Sequence, residues 1–440
     1  MSDIPKDHLE KIKNDLTSVS KDYITDEIVK VSYYWLDEET GYIQIPRFYP
    51  ITFSSINDIT NVGAALQSDF KMNEEFSYRD GQEVSVKESL SENILTLMKP
   101  PGSGKTIIGA CAIHDRGVRS LILVDQDNLK TQWVDALKLI FKDTIKINRN
   151  LKLDGSVKDI GCDVYVTTIQ GVIAKIRKNG LAAVRELYQS YNIGHVILDE
   201  CHVLIGPEKF SLFGHICNSK YILAMSATPK DDIYFQYWLG TIIVGDNDYE
   251  VTPYICQLEY SSQLHKKKKY INWGGKYRRD RYAQALYKQD QYLNYICSIA
   301  YKAYLLKRQI LLICNYNKYG VNNVVEYIIK KYNLSSDLVA TYISGCKKDE
   351  ESVKPIIVGN YKMLQKGTDI PTLDTLIMAD SVTNRTALEQ VIGRLLRLNK
   401  GVIKKSLLVM DITDCDYGEL FWRHRKIRSE FYEEKNFYII

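Results

Sequence analysis

No C-x-x-C pair occurs among the nine cysteines, and the closest two, Cys201 and Cys217, are sixteen residues apart. That spacing argues against a zinc cluster or a thioredoxin-like redox site. It favours reduced thiols in an intracellular compartment. No apolar stretch approaches the roughly eighteen residues a membrane span requires. The start, Met1-Ser2-Asp3-Ile4-Pro5-Lys6, lacks the hydrophobic centre of a signal peptide, so neither secretion nor membrane insertion is expected. A large charge excess is also missing. With a net charge of +4, any grip on nucleic acid must come from local basic patches.

The 440 residues are 45% hydrophobic and 25% charged, as in an ordinary soluble protein of two or three domains. Tyrosine, isoleucine, lysine and asparagine are abundant, which points to an AT-rich genome such as that of a large DNA virus. In that setting the expected location is host cytoplasm and virion.

The most informative residues are Asp199-Glu200-Cys201-His202, directly after the apolar run Val196-Ile197-Leu198. Two carboxylates at the end of a buried strand are costly unless something positive or polar meets them. An Mg²⁺-bound nucleoside triphosphate suits them, because hard divalent cations take carboxylate and water oxygens. A phosphate loop lies upstream: an apolar strand over 93–98, then Pro100-Pro101-Gly102-Ser103-Gly104-Lys105-Thr106, then a helical run from Ile107. In such a loop the backbone N–H groups and the helix N-terminus cradle phosphates. Lys105 would pair with the β- and γ-phosphates and Thr106 would reach Mg²⁺. Lys99 stands where the full pattern has glycine. Asp199 becomes the Mg²⁺-side carboxylate and Glu200 the base that activates the attacking water.

Asp-Glu-x-His is followed by Ser226-Ala227-Thr228 and by Gln390-Val391-Ile392-Gly393-Arg394-Leu395-Leu396-Arg397. This order resembles the superfamily 2 helicases and translocases. Weaker elements agree: Tyr78-Arg79-Asp80-Gly81-Gln82, Leu129-Lys130-Thr131-Gln132-Trp133, Asp163 to Gln170, and Lys366-Gly367-Thr368-Asp369-Ile370-Pro371. The resemblance covers roughly residues 78 to 411. Gln132-Trp133, Ile45-Pro46-Arg47 and the basic-aromatic stretch from Phe421 to Tyr432 are similar to one branch, which holds the XPB-like and UvsW-like helicases and the transcript-release helicases of poxviruses. Gly81 replaces an aromatic residue common in that branch, and Cys201 replaces alanine.

Apolar runs alternate with helical segments twice along the chain, which predicts parallel sheets with helices on both faces. The fold expected is α/β, with two tandem RecA-like domains, a small N-terminal domain and a C-terminal helix. The expected boundaries are 1–74 for the N-terminal domain, 75–246 for the ATP-binding domain and 247–290 for a basic, aromatic linker. The second RecA-like domain then covers 291–415 and the C-terminal helix 416–440.

The resemblance implies ATP and Mg²⁺ as cofactors. Gln82 and Asp369 would contact the nucleotide, and His202, Ser226 and Thr228 would couple nucleotide state to lobe movement. Gln390 belongs to the same set, and Arg394 and Arg397, spaced i,i+3, would act as arginine fingers. Thr167, Thr168 and Thr368 are candidates for gripping phosphates without reading sequence. Lys267, Lys268, Trp273 and Arg278 interleave charge and aromatic surface as strand-binding grooves do, though a solvated linker explains the lysine run equally well. Arg423, Arg425, Lys426 and Arg428 form a second basic cluster, with a partner-docking helix as the rival reading.

The expected activity is ATP-driven movement on DNA, 3′ to 5′, in transcription, transcript release, recombination or repair. RNA polymerase or transcription factors are the expected protein partners. Only twenty residues separate Asp369 from Gln390, leaving little room for a strand-separating hairpin, so translocation or remodelling is expected over long unwinding. The alternatives are an RNA helicase, an RNA–DNA hybrid as substrate, or a non-hydrolysing scaffold.

Overall fold

The computed structural model describes residues 4–21, 28–36, 42–51, 57–66, 71–79, 81–154, 161–204, 207–227, 229, 232–245, 251–264, 270, 278–343, 346, 348–361, 370, 372–380, 384–396, 406–416 and 419–440. Two compact units divide the chain, the first holding Met1–Pro100 and Gly104–Asn247, the second Pro101–Ser103 and Asp248–Ile440.

Strands of the first unit are β1 (Thr17–Lys21), β2 (Ile28–Ser32), β3 (Trp35–Leu36), β4 (Ile43–Gln44), β5 (Ile94–Met98), β6 (Ser120–Val124), β7 (Ile147–Asn148), β8 (Val164–Thr168), β9 (His195–Asp199), β10 (Tyr221–Ser226) and β11 (Ile243–Val244). Seven form one sheet in the order β11-β5-β10-β9-β6-β8-β7, with every pair parallel. Each long strand is an apolar run such as Leu121-Ile122-Leu123-Val124, fully buried, because helices cover both faces of the sheet. β5 neighbours β10 rather than the next strand in the chain, β6, so a crevice opens at the carboxyl ends beside it. The register sets Met225 of β10 opposite Asp199 of β9, and Ser226 opposite Met98 of β5. Asp199, Ser226 and the loop leaving Met98 therefore lie side by side.

Before β5, a helix over Lys6–Asp15 and the antiparallel pairs β1–β2 and β3–β4 contribute Ile12, Leu16, Val31, Tyr33 and Tyr49 to the same apolar core as Tyr188, Phe213 and Trp238. Arg47 donates to the carbonyls of Ser219 and Lys220, fastening this segment to the turn before β10.

The second unit repeats the architecture with β12 (Tyr254–Tyr260), β13 (Ile310–Ile313), β14 (Val339–Tyr342), β15 (Ile356–Gly359), β16 (Thr375–Met378), β17 (Leu408–Asp414) and β18 (Tyr438–Ile439). Their order is β14-β15-β13-β16-β17-β12-β18, again all parallel. The expected linker over 247–290 is corrected here. Tyr254–Tyr260 pairs along its whole length with Leu408–Asp414, and Arg279–Leu286 is a helix. The strand escapes recognition because Gln257 and Glu259 interrupt its apolar pattern.

A helix over Glu419–Glu434 follows β17. Within it Arg428 is buried, donating through Nε to both oxygens of Asp411 at 3.0 and 2.9 Å, while Tyr432 Oη donates to Asp411 at 3.0 Å. Arg425 pairs with Glu259 and lies over the Trp422 ring. Two members of the predicted basic cluster are thus committed to holding the helix on the sheet. Arg423 and Lys426 are the exposed ones. No helix among the described residues is long and apolar enough to cross a membrane.

Candidate functional site

The loop between β5 and the helix Lys105–Arg116 turns on two glycines in the left-handed region, Gly102 at φ +88° and Gly104 at φ +83°. Only glycine enters that region without strain. A Cβ on Gly104 would also lie 2.2 Å from Gln82 Nε2. Gln82 is buried, and its Oε1 accepts the Arg79 backbone N–H at 2.9 Å. Its Nε2 and the Ser103 Oγ are buried without a hydrogen-bond partner among the described residues. Polar groups left so are costly, and here they suit a ligand with acceptors.

Lys105 opens the helix. Its Nζ donates to the carbonyls of Lys99 at 3.0 Å and Pro100 at 3.3 Å, and it lies 3.8 Å from Glu200 Oε1. The ammonium is buried, held by the loop it serves.

Asp199 ends β9 and is buried. Burial first, and the neighbouring Glu200 charge second, push its carboxyl from 3.8 up to about 6. The Trp133 indole, fully buried, donates from Nε1 to Asp199 Oδ2 at 2.8 Å and opposes that rise. Glu200 takes a left-handed backbone, φ +51°, uncommon for a residue with a side chain. The turn directs its carboxylate back over the site, where Oε2 lies 3.4 Å from His202 Nδ1. That same Nδ1 is 2.8 Å from Ser226 Oγ. A continuous polar chain, Lys105–Glu200–His202–Ser226, results. Burial pushes the Cys201 thiol well above its ordinary range, so this residue packs as a neutral small side chain.

Among the described residues no group of three or more histidine, cysteine, aspartate or glutamate side chains gathers to hold a metal. Mg²⁺ fits regardless, because it commonly takes one or two protein ligands and completes its shell with phosphate oxygens and water. Thr106 and Asp199 are the two residues that would supply them. Thr106 Oγ1 accepts from Gln132 Nε2 at 3.5 Å, at the long limit of a hydrogen bond.

In the second unit Gln390 and Arg394 share the helix Arg385–Leu395. It is capped by Asn384, whose Oδ1 accepts the Ala387 N–H at 2.9 Å. Arg394 and Glu389 are buried, and Glu389 meets Lys435 Nζ at 3.2 Å. Thr228, Thr368, Asp369, Arg397, Lys267, Lys268 and Trp273 lie outside the described residues.

Of the proposed strand-gripping threonines, Thr167 is buried and Thr168 caps the helix Ile169–Asn179, accepting the Gly171 N–H at 3.1 Å. Arg278 pairs with Asp280 at 2.9 Å. The residue that sequence reasoning passed over is Trp133. In the sequence it is only half of a branch marker, yet it touches Asp199 from 66 positions away. A tryptophan in a motif beside polar residues is the one signal that pointed to it.

The family model for the "Type III restriction enzyme, res subunit" matches residues 74–231. A protein of Acanthamoeba polyphaga mimivirus, assigned as ATP-dependent RNA helicase L396, is 25% identical over 99% of this chain and 83% of its own length. The DNA 3′-5′ translocase XPB2 of Sulfurisphaera tokodaii is 27% identical over 44% of this chain and 40% of its own. Saccharomyces cerevisiae Dbp5, solved with RNA and ADP BeF3, superposes with a TM-score of 0.53 at 13% identity, covering 82% of this chain and 89% of that one, a likeness of fold. With the motifs in order, tandem parallel sheets and helicases as relatives, the chain is an ATP-hydrolysing helicase similar to those of superfamily 2, and it agrees with their XPB-like and UvsW-like branch.

Proposed function

We propose that this protein hydrolyses ATP at the carboxyl ends of β5, β9 and β10 and uses the energy to move 3′ to 5′ on DNA. The observation that carries the reading is the polar chain from Lys105 through Glu200 and His202 to Ser226. It joins the residues that would meet the phosphates to the motif that would report on them. Lys105 neutralises the β- and γ-phosphate oxygens, and the loop amides with Gln82 orient the nucleotide. Glu200 accepts a proton from the water that attacks the γ-phosphorus, and ADP departs. Thr106 and Asp199 would hold Mg²⁺, which would supply charge to offset that developing on the phosphates. By the resemblance to superfamily 2 motors, Arg394 and Arg397 would add positive charge in the transition state, and Asp369 would serve the ribose.

His202 connects this chemistry to movement. Its imidazole contacts both the proposed base and Ser226, so loss of the γ-phosphate, felt by Glu200, changes the hydrogen bonding of the Ser226-Ala227-Thr228 element. Sites in transcript release, recombination or repair of a large DNA virus fit this motor, with a polymerase or transcription factor as protein partner.

A second reading is an RNA helicase with the same engine. It is favoured by the mimivirus relative, assigned to RNA and aligned over nearly the whole chain. ATP turnover measured with single-stranded DNA, single-stranded RNA, duplex DNA and an RNA–DNA hybrid separates the two. Stimulation confined to RNA overturns the DNA reading.

A further inference from the structure

Gln132 and Trp133 are adjacent on the helix Asp127–Phe141, and each meets one of the two side chains that would hold Mg²⁺ in the function proposed above. Trp133 Nε1 donates to Asp199 Oδ2 at 2.8 Å, and Gln132 Nε2 donates to Thr106 Oγ1 at 3.5 Å. Consecutive helical residues point about 100° apart. One dipeptide therefore reaches the end of β9 with one side chain and the start of the phosphate-loop helix with the other.

The packing around the indole is built for this reach. A Cβ on Gly109, one turn along the phosphate-loop helix, would lie 2.7 Å from Trp133 Cη2 and 3.3 Å from Met225 Sδ. Glycine inside a helix costs about 1 kcal/mol relative to alanine. Here its missing side chain gives the ring room to lie against the helix while its N–H faces the carboxylate. Trp133 is fully buried, so the ring has no alternative position in solvent. An indole N–H is a neutral donor and cannot accept. It fixes one aspartate oxygen and leaves the other to face a cation, without contributing a positive charge that would compete with it.

We infer that Gln132 and Trp133 are positioning residues for Mg²⁺, orienting Thr106 and Asp199 from behind. This rests on the ATP-site reading above. Partners that orient metal ligands typically govern affinity by about 10- to 100-fold, and the inference is therefore read in metal-dependent binding.

The experiment compares the affinity of the full chain for fluorescently labelled ADP in Mg²⁺ and in EDTA, for wild type, Trp133→Phe and Gln132→Ala. Phenylalanine keeps an aromatic ring against Gly109 and removes only the donor. Gln132 is exposed, so its alanine variant retains the fold and carries the test if Trp133→Phe does not fold. The expected result is that the gain in affinity given by Mg²⁺ falls roughly 10-fold or more while affinity in EDTA is unchanged. An unchanged Mg²⁺ gain in folded variants overturns the inference, as does an equal loss in Mg²⁺ and EDTA, which marks a packing role. Lys105→Ala separates this from failure of the site itself. If that variant binds like wild type in both conditions, the ATP-site reading falls, and the inference with it.

Discussion

Replacing Asp199 with asparagine should stabilise the protein at pH 8 in EDTA without nucleotide, while abolishing turnover. The carboxyl is buried beside a second carboxylate, and its pKa rises from 3.8 to about 6. At about 1.4 kcal/mol per pKa unit, keeping it ionised at pH 8 costs about 3 kcal/mol. The sign follows from proton uptake. A raised native pKa means the folded protein holds this proton more tightly than the unfolded chain. The penalty is absent below pH 3.8, grows as pH rises, and is complete above about pH 6. Asparagine keeps the shape and an acceptor for Trp133 Nε1, and it removes the charge. Urea unfolding followed by fluorescence reads the effect. The variant should gain about 2–3 kcal/mol at pH 8 and only about 1 kcal/mol at pH 4.5. An asparagine variant no more stable than wild type at pH 8, or a gain that does not shrink toward acid, refutes the reasoning. The trade is the one expected at a functional site, where charge is kept for chemistry at the expense of stability.

Further expectations concern coupling and the C-terminal helix. His202→Ala should retain ATP hydrolysis yet lose nucleic-acid movement, because it cuts the chain to Ser226 and leaves Lys105 and Glu200 in place; parallel ATPase and strand-displacement assays check it, and equal loss of both activities would contradict it. Arg428→Met leaves Asp411 buried without its cation and should cost about 3–5 kcal/mol in thermal or urea unfolding. Arg423→Ala, at an exposed position of the same helix, should be silent in that assay.

The strands at the site were legible because parallel sheets covered on both faces need continuous apolar runs. Ile310–Ile313 and Val339–Tyr342 are such runs, and both form strands. The glycines of the phosphate loop were legible because few other arrangements bring backbone amides to a helix N-terminus. Long-range partnerships were not. Nothing in the spacing of Trp133 and Asp199 shows that they touch, since the contact depends on β6 and β9 lying side by side in the sheet. Arg428 illustrates the converse: a basic residue in a basic helix reads as surface, and only the position of Asp411 on β17 makes it core. Tyr254–Tyr260 was hidden because part of it is half-buried at the sheet's side, so its residues need not be uniformly apolar.

The most direct test of the central claim is steady-state ATP turnover, with and without single-stranded DNA, for wild type, Lys105→Ala and Glu200→Gln. The account predicts strong DNA stimulation in the wild type and no measurable turnover for Lys105→Ala. Glu200→Gln should fall by about 10²- to 10⁴-fold, the usual contribution of a general base, while still binding nucleotide. Wild-type-like turnover in both purified variants would contradict it.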